Sequence, residues 1–381
     1  MHGIAWRTSF AFVCYLLLGL PSTLAQDSAA FYGSKFFRRA YQSSVIVGDH
    51  FYLDGGIIEY HDPDDTTQIT YSNATYSIPL IDSWQPQDVA FTRTGKDDSI
   101  PRLIVQNIWA TDNVSFYSFN GAVGGEAYAA GFRPESSTDL WRFNTDGVGG
   151  GSWVLDSVTP ASISQSFWTG STTGNGSQWF LGGLHTAYTT SQITDNTWLS
   201  ADGMISYNMT TQTWLNQTDH TMLDPRGWWW NLQLHYLTGL GNQGLLLAMG
   251  GITAPPSSDF THIGDMQTQK PYNNVAIYNT VTDQWVPQAT SAENEDDRPQ
   301  PRGAPCSVGV AGDNGTFEVC HTLAAIHSPP PHSTHTNIIP DFLVRWVQRC
   351  LLLHPIASQH RPWPKSTRPL APLLHLVQRH R

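Results

Sequence analysis

The sequence predicts an all-β protein assembled from internal repeats. Three observations carry that prediction. A short apolar and aromatic run that stops at a glycine pair occurs four times along the chain. Each copy is followed, at a similar distance, by an aromatic strand and then a tryptophan. No long segment shows a sustained 3.6-residue apolar period, and the composition is that of a turn-rich β protein, with 32 Gly, 15 Trp and only 13% charged residues.

The first copy is Phe51-Tyr52-Leu53-Asp54-Gly55-Gly56. Its aromatic and apolar residues suit a pleated, packed surface. The glycines supply a positive φ or a close backbone approach that a Cβ would resist. The second copy, Phe116-Tyr117-Ser118-Phe119-Asn120-Gly121, has Asn at the first glycine position. Trp179-Phe180-Leu181-Gly182-Gly183 and Leu247-Ala248-Met249-Gly250-Gly251 complete the set. The second glycines fall at 56, 121, 183 and 251, so the spacings are 65, 62 and 68. The aromatic strands that follow centre on Tyr76, Trp141, Tyr207 and Tyr278, and the tryptophans are Trp84, Trp153, Trp214 and Trp285. Glycine-to-tryptophan distances are then 28, 32, 31 and 34 residues. Four such units in register make a repeat, which decides architecture before any local reading does.

Glycine pair, aromatic and tryptophan in this order resemble the kelch repeat, in which each repeat is one four-stranded blade of a β-propeller. Kelch periods are about 50 residues, so these repeats carry inserted loops. The chain resembles secreted fungal kelch-repeat proteins with a galactose oxidase-like central propeller, over roughly residues 38–318. The resemblance implies an incomplete propeller of about four to five blades. It specifies fold far more than function.

In chain order, residues 1–25 read as a secretory signal peptide. Arg7 gives the positive start, Phe10–Leu20 the apolar run, and Ala25 the small residue before cleavage. No other apolar run is long enough to span a bilayer. Six Asn-x-Ser/Thr acceptors, at Asn73, Asn113, Asn175, Asn208, Asn216 and Asn314, fit a secreted glycoprotein. Residues 26–319 form the propeller body. Removing Arg7, Asp341 and the seven basic residues of 320–381 leaves the body 12 Lys/Arg against 30 Asp/Glu, a balance of −18. Such a body repels nucleic acid and anionic lipid.

Blade one opens with the hairpin Ser43–Val47, Gly48-Asp49-His50 and Phe51–Asp54. The loop Tyr60–Asp65 holds one His and three Asp, but without the Ca²⁺-loop spacing, and reads as a solvated turn. The glycine-rich insertion 121–131 of blade two has no following helix to make a phosphate cradle. Blade three carries the insertion 184–201. In blade four, Trp228 and Trp230 share one strand face and, with His235, are candidate binding residues for the apolar face of a sugar ring. Packing between blades is the competing role, and the one that ring size favours.

Blade five begins near Arg302–Val310 and breaks off. Residues 320–381 hold eight of the fifteen histidines without regular ligand spacing, and are expected to lack structure. Codons compatible with an intron donor at Val319-Cys320, a branch point at Thr336-Asn337 and an acceptor at Pro340-Asp341 exist. The shifted frame beyond can encode Ile-Phe-Leu-Tyr-Gly-Gly-Tyr, a fifth kelch strand. The tail therefore fits a retained intron followed by a frameshift. After the leader only Cys306, Cys320 and Cys350 remain, and without the tail Cys306 stands alone.

For chemistry, the copper radical oxidases need a Tyr, His and Tyr–Cys set that the body does not match. Gly-x-Ser-x-Gly is absent. The expected function is a non-enzymatic binding propeller at the cell surface or outside it, with no cofactor and no metal site. Its partner would be a protein or carbohydrate, held by loops after each glycine pair and between blades. A copper radical oxidase-like or metal-dependent specifier-type enzyme is the alternative.

Overall fold

The structure, a computed structural model, describes residues 36–381 apart from 62–66, 82, 85–88, 90, 125–138, 195–196, 202, 218–227, 239, 241–243, 255–267, 292–298, 302, 304–305, 313–315, 323–348, 356–373 and 380–381. The expected leader, the acidic part of the 60–65 loop and Asn314 lie outside the described residues. The fold is all-β and of propeller type, with no helix among the described residues. It divides into two compact units: Met1–His220 with Trp228–Trp230 and Ala254–Gln267, and Thr221–Gly227 with Asn231–Thr253 and Thr268–Arg381.

The first unit holds three blades, each an antiparallel four-stranded meander in chain order. Blade one is Ser43–Val47, His50–Asp54, Ala74–Pro79 and Thr92–Gly95. Blade two is Asn107–Ala110, Ser115–Phe119, Leu140–Thr145 and Gly151–Ser157. Blade three is Gly170–Gly174, Ser177–Leu181, Met204–Asn208 and Thr213–Gln217.

The inner strand of blade one is covered on both faces, by blade two and by its own 80–91 connection, so it does not alternate: His50–Asp54 is buried at four consecutive positions. Between blades one and two, Val47, Tyr52, Phe116 and Phe143 form one cluster, with Tyr52 and Phe116 ring centres 5.4 Å apart and Phe116 and Phe143 4.9 Å apart. Trp109, Phe119, Phe180 and Tyr207 do the same between blades two and three. Each such ring contributes roughly 1.5–3 kcal/mol by leaving water.

The second unit holds blade four, Gln233–Leu237, Leu245–Met249, Asn274–Asn279 and Gln284–Ala289, and blade five. Leu237, Leu247, Ile277, Phe317 and Val319 share its core. Blade five starts as the hairpin Cys306–Ala311 and Phe317–Thr322. Two stretches of the tail then take strand positions that the sequence reading did not assign. Arg349–Pro355 pairs with the hairpin and Leu374–Arg379 pairs with Arg349–Pro355, completing four strands. Leu374-His375-Leu376 has the two-residue apolar period that a strand needs. Cys320 is disulfide-bonded, and the residue opposite it in the register is Cys350.

The register refines one reading of the repeat. Phe143 faces Trp153, Tyr207 faces Trp214 and Tyr278 faces Trp285 across the third and fourth strands of their blades. In blade one Ser77 faces Thr92, so the matching positions are Ile78, in the blade core, and Phe91, which packs against it. Trp84 is therefore not the counterpart of the other three tryptophans. It lies in the connection between strands, and its indole N–H donates to the Pro79 carbonyl at 3.1 Å. Likewise Tyr76 matches Trp141 in register, opposite Leu53 and Ser118.

Candidate functional site

Strands that alternate in direction give every blade two unlike edges. At one edge lie the turns after the first and third strands, among them 48–49, 111–114, 146–150, 175–176 and 209–212. At the other lie the connections after the second strand: 55–73, 120–139, 182–203 and 250–273. The long connections build extra pairs of their own, such as Ile57–His61 with Thr67–Tyr71 and Leu184–His185 with Leu199–Ser200. This edge carries the longest connections of the blades on a rigid support, as recognition surfaces do; its described residues are mostly buried or half-buried.

The glycine pairs sit at its root. All are left-handed, with φ of 65° and 85° at Gly55 and Gly56, 64° and 104° at Gly182 and Gly183, and 62° and 81° at Gly250 and Gly251. Asn120 takes the first position in blade two at φ 61°, ahead of Gly121 at 99°, as Asn tolerates best after Gly. Its amide donates to Asn107 Oδ1 at 3.2 Å and its Oδ1 accepts from Ser166 N.

A Cβ on Gly56 would stand 2.6 Å from Ala40 O, and one on Gly183 2.8 Å from Phe167 O. The second glycine also reaches forward. Gly56 N donates to Leu103 O, Gly121 N to Ser166 O and Gly183 N to Trp229 O, at 2.8–3.0 Å. Each acceptor lies two residues before another left-handed position. Those positions are Val105, Trp168 and Asn231, with Tyr41 ahead of blade one, at φ 48–60°. The sequence carries no signal for them, because none is Gly and β-branched Val105 is an outlier there.

Within the first unit, the root of this edge holds a closed polar joint. Asp54, just before the first glycine pair, is fully buried and bonds Lys96 Nζ at 2.7 Å, whose side chain is 2% exposed. Asp54 also accepts from Thr75 Oγ1 at 2.6 Å and Gln106 Nε2 at 2.9 Å. The Trp153 indole donates to Thr75 Oγ1, and the Lys96 ammonium lies 4.8 Å from the centre of the Trp153 ring. Blades one and two are thereby joined. No ligand reaches these charges, so the joint supports the edge rather than binding at it.

In the second unit, His235 on the first strand of blade four meets the first strand of blade five. His235 Nε2 is 2.7 Å from Ser307 Oγ, and Ser307 donates to Gln233 Oε1 at 2.7 Å. Since the hydroxyl proton goes to Gln233, His235 is the donor to Ser307 and not its base. Burial lowers the His235 pKa to about 4, so the ring is neutral near pH 7. This is a hydrogen-bonded latch, not an activated nucleophile.

Of the two roles weighed for Trp228, Trp230 and His235, packing is the one that the described residues fit. Trp230 is 2% exposed, and the Trp228 side chain lies outside the described residues. His235 is half-buried and engaged by Ser307. Aromatic surface at the long-loop edge comes instead from Trp168 and Trp198 of blade three, half-buried and with ring centres 5.7 Å apart. Among the described residues no group of three or more His, Cys, Asp or Glu could hold a metal ion, and no helix is long and apolar enough to cross a membrane.

No protein-family model matches the chain, and no curated protein matches it. Among solved structures, one titled "Structure of YjhT" superposes with a TM-score of 0.49 at 12% identity, over 83% of this chain and 82% of that one.

Proposed function

We propose that the chain is an exported, glycosylated kelch-type propeller that binds a partner through its long-loop edge and performs no chemistry of its own. The observation that supports this reading most is the inequality of the two blade edges. Successive blades place long, structured connections at one edge and mostly tight turns at the other. The two best-formed polar clusters fit the same reading. One is sealed from solvent, and the other commits its serine proton to an amide. The leader-like N-terminus and the acceptor asparagines support an extracellular or cell-surface setting, and the resemblance to secreted fungal kelch-repeat proteins adds the fungal context. Protein and carbohydrate are the partner classes, since the acidic body disfavours polyanions.

The test uses chitin, β-glucan and mannan as probes. Retention of the purified chain on one of them should be lost when 184–201 is replaced by a short Gly-Ser turn. It should survive changes in the 209–212 turn. Hydrogen peroxide release with simple sugars or alcohols, together with stoichiometric bound copper, would overturn the binding reading in favour of an oxidase.

A further inference from the structure

The acceptor asparagines do not fall at random on the blades. Asn113 lies in the exposed turn between the first and second strands of blade two. Asn175 occupies the matching turn of blade three, exposed and left-handed at φ 49°. Asn208 opens the turn between the third and fourth strands of the same blade. Its Oδ1 accepts from Thr210 N and Thr211 N at 2.9 Å, which leaves Nδ2 as the outward atom. The two turns of blade three touch, with Met209 N donating to Gly176 O at 2.9 Å. The turn of blade one adjoins that of blade two, where a Cβ on Gly48 would stand 3.3 Å from Asn113 O. Three acceptors thus share the short-turn edge.

The other two described acceptors use their amides in the fold. Asn216 Nδ2 donates to Ser162 O at 3.0 Å. Asn73, half-buried at the long-loop edge, accepts from Arg93 Nη2 at 3.1 Å through Oδ1 and from Lys96 N through its carbonyl.

We infer that Asn113, Asn175 and Asn208 carry N-linked glycans, which cover the short-turn edge of blades two and three and leave the long-loop edge as the surface open to a partner. The glycan amide replaces one N–H of an Nδ2 that, among the described residues, makes no hydrogen bond at any of the three positions, so the modification breaks none of those bonds. This inference rests on the export reading.

The full chain is produced in a eukaryotic secretory host in two forms, one with its own first 25 residues and one with the host's leader in their place. Occupancy is read site by site by mass spectrometry on secreted, or protease-resistant cell-associated, chain. Glycan at all three sites is the expected result, with loss of three mobility steps in Asn113→Gln/Asn175→Gln/Asn208→Gln. Bare Asn113 and Asn175 in chain carried by the host leader, or glycan at Asn73 and Asn216 instead, would overturn the placement. Retention of the chain bearing its own N-terminus, with the glycan pattern intact under the host leader, would overturn export and leave the placement standing. Blade four provides a further check. Asn279 makes the same turn as Asn208, accepting from Val281 N and Thr282 N. Val281→Thr should therefore add one mobility step to resistant chain, and its absence counts against the turn as an acceptor.

Discussion

The polar joint of the first unit and that of the second solve one problem in opposite ways. Polar groups trapped between stacked sheets need partners. At Asp54 the answer is charge: an ion pair closed from water, with Thr75, Gln106 and Trp153 satisfying the remaining directions. At His235 the answer is neutral: imidazole, hydroxyl and amide in a row, half-buried. A charged joint tolerates no missing member, because what remains is a bare buried charge. A neutral joint tolerates a missing member better, but charging its desolvated imidazole is costly even though the Nε2–H donation survives.

The largest effect that would sharpen this contrast is Lys96→Met. It strands the Asp54 carboxylate and should cost about 3–5 kcal/mol in urea unfolding. Adding Asp54→Leu should recover most of that loss. A double variant as unstable as the single would mean that the pair acts through packing and not charge. Next is Thr75→Val, which removes a bond to a carboxylate and orphans the Trp153 N–H, at about 2 kcal/mol. Its spectroscopic sign is a shift in tryptophan emission. Gly183→Ala should cost roughly 1–3 kcal/mol, through left-handed strain and the Phe167 carbonyl.

The pH response of the neutral joint tests the other side of the contrast. Burial holds the His235 pKa at about 4, below its ordinary 6.5. Between those values the unfolded chain binds the extra proton. The contribution is therefore complete above about pH 6.5 and is lost as pH falls toward 4. His235→Gln should flatten that slope in thermal melts taken across the window. An unchanged slope would break the comparison.

The glycine pairs were legible in the sequence because only Gly, or at second choice Asn, holds φ near 60–100° without strain, and Asn120 shows the second choice in use. The left-handed Tyr41, Val105, Trp168 and Asn231 were not legible. Their conformation is imposed by the junction and leaves no mark in residue type. Trp84 misled because the connection 80–91 adds an indole where the strand position belongs to Phe91. The burial of Trp230 was the role that its ring size favoured, but which elements cover it left no mark in the sequence. The two joints were invisible for another reason. Lys96 and Asp54 are 42 residues apart, and His235 and Ser307 are 72 residues apart; no local pattern links residues at such separations.

The forward bond of the second glycine sets an order of assembly. Gly56 waits for Leu103, Gly121 for Ser166 and Gly183 for Trp229, gaps of 47, 45 and 46 residues by subtraction. A blade leaving the ribosome is thus incomplete until the start of its successor has also emerged. Folding during synthesis should run one module behind translation, with the newest module always lacking its final amide bond.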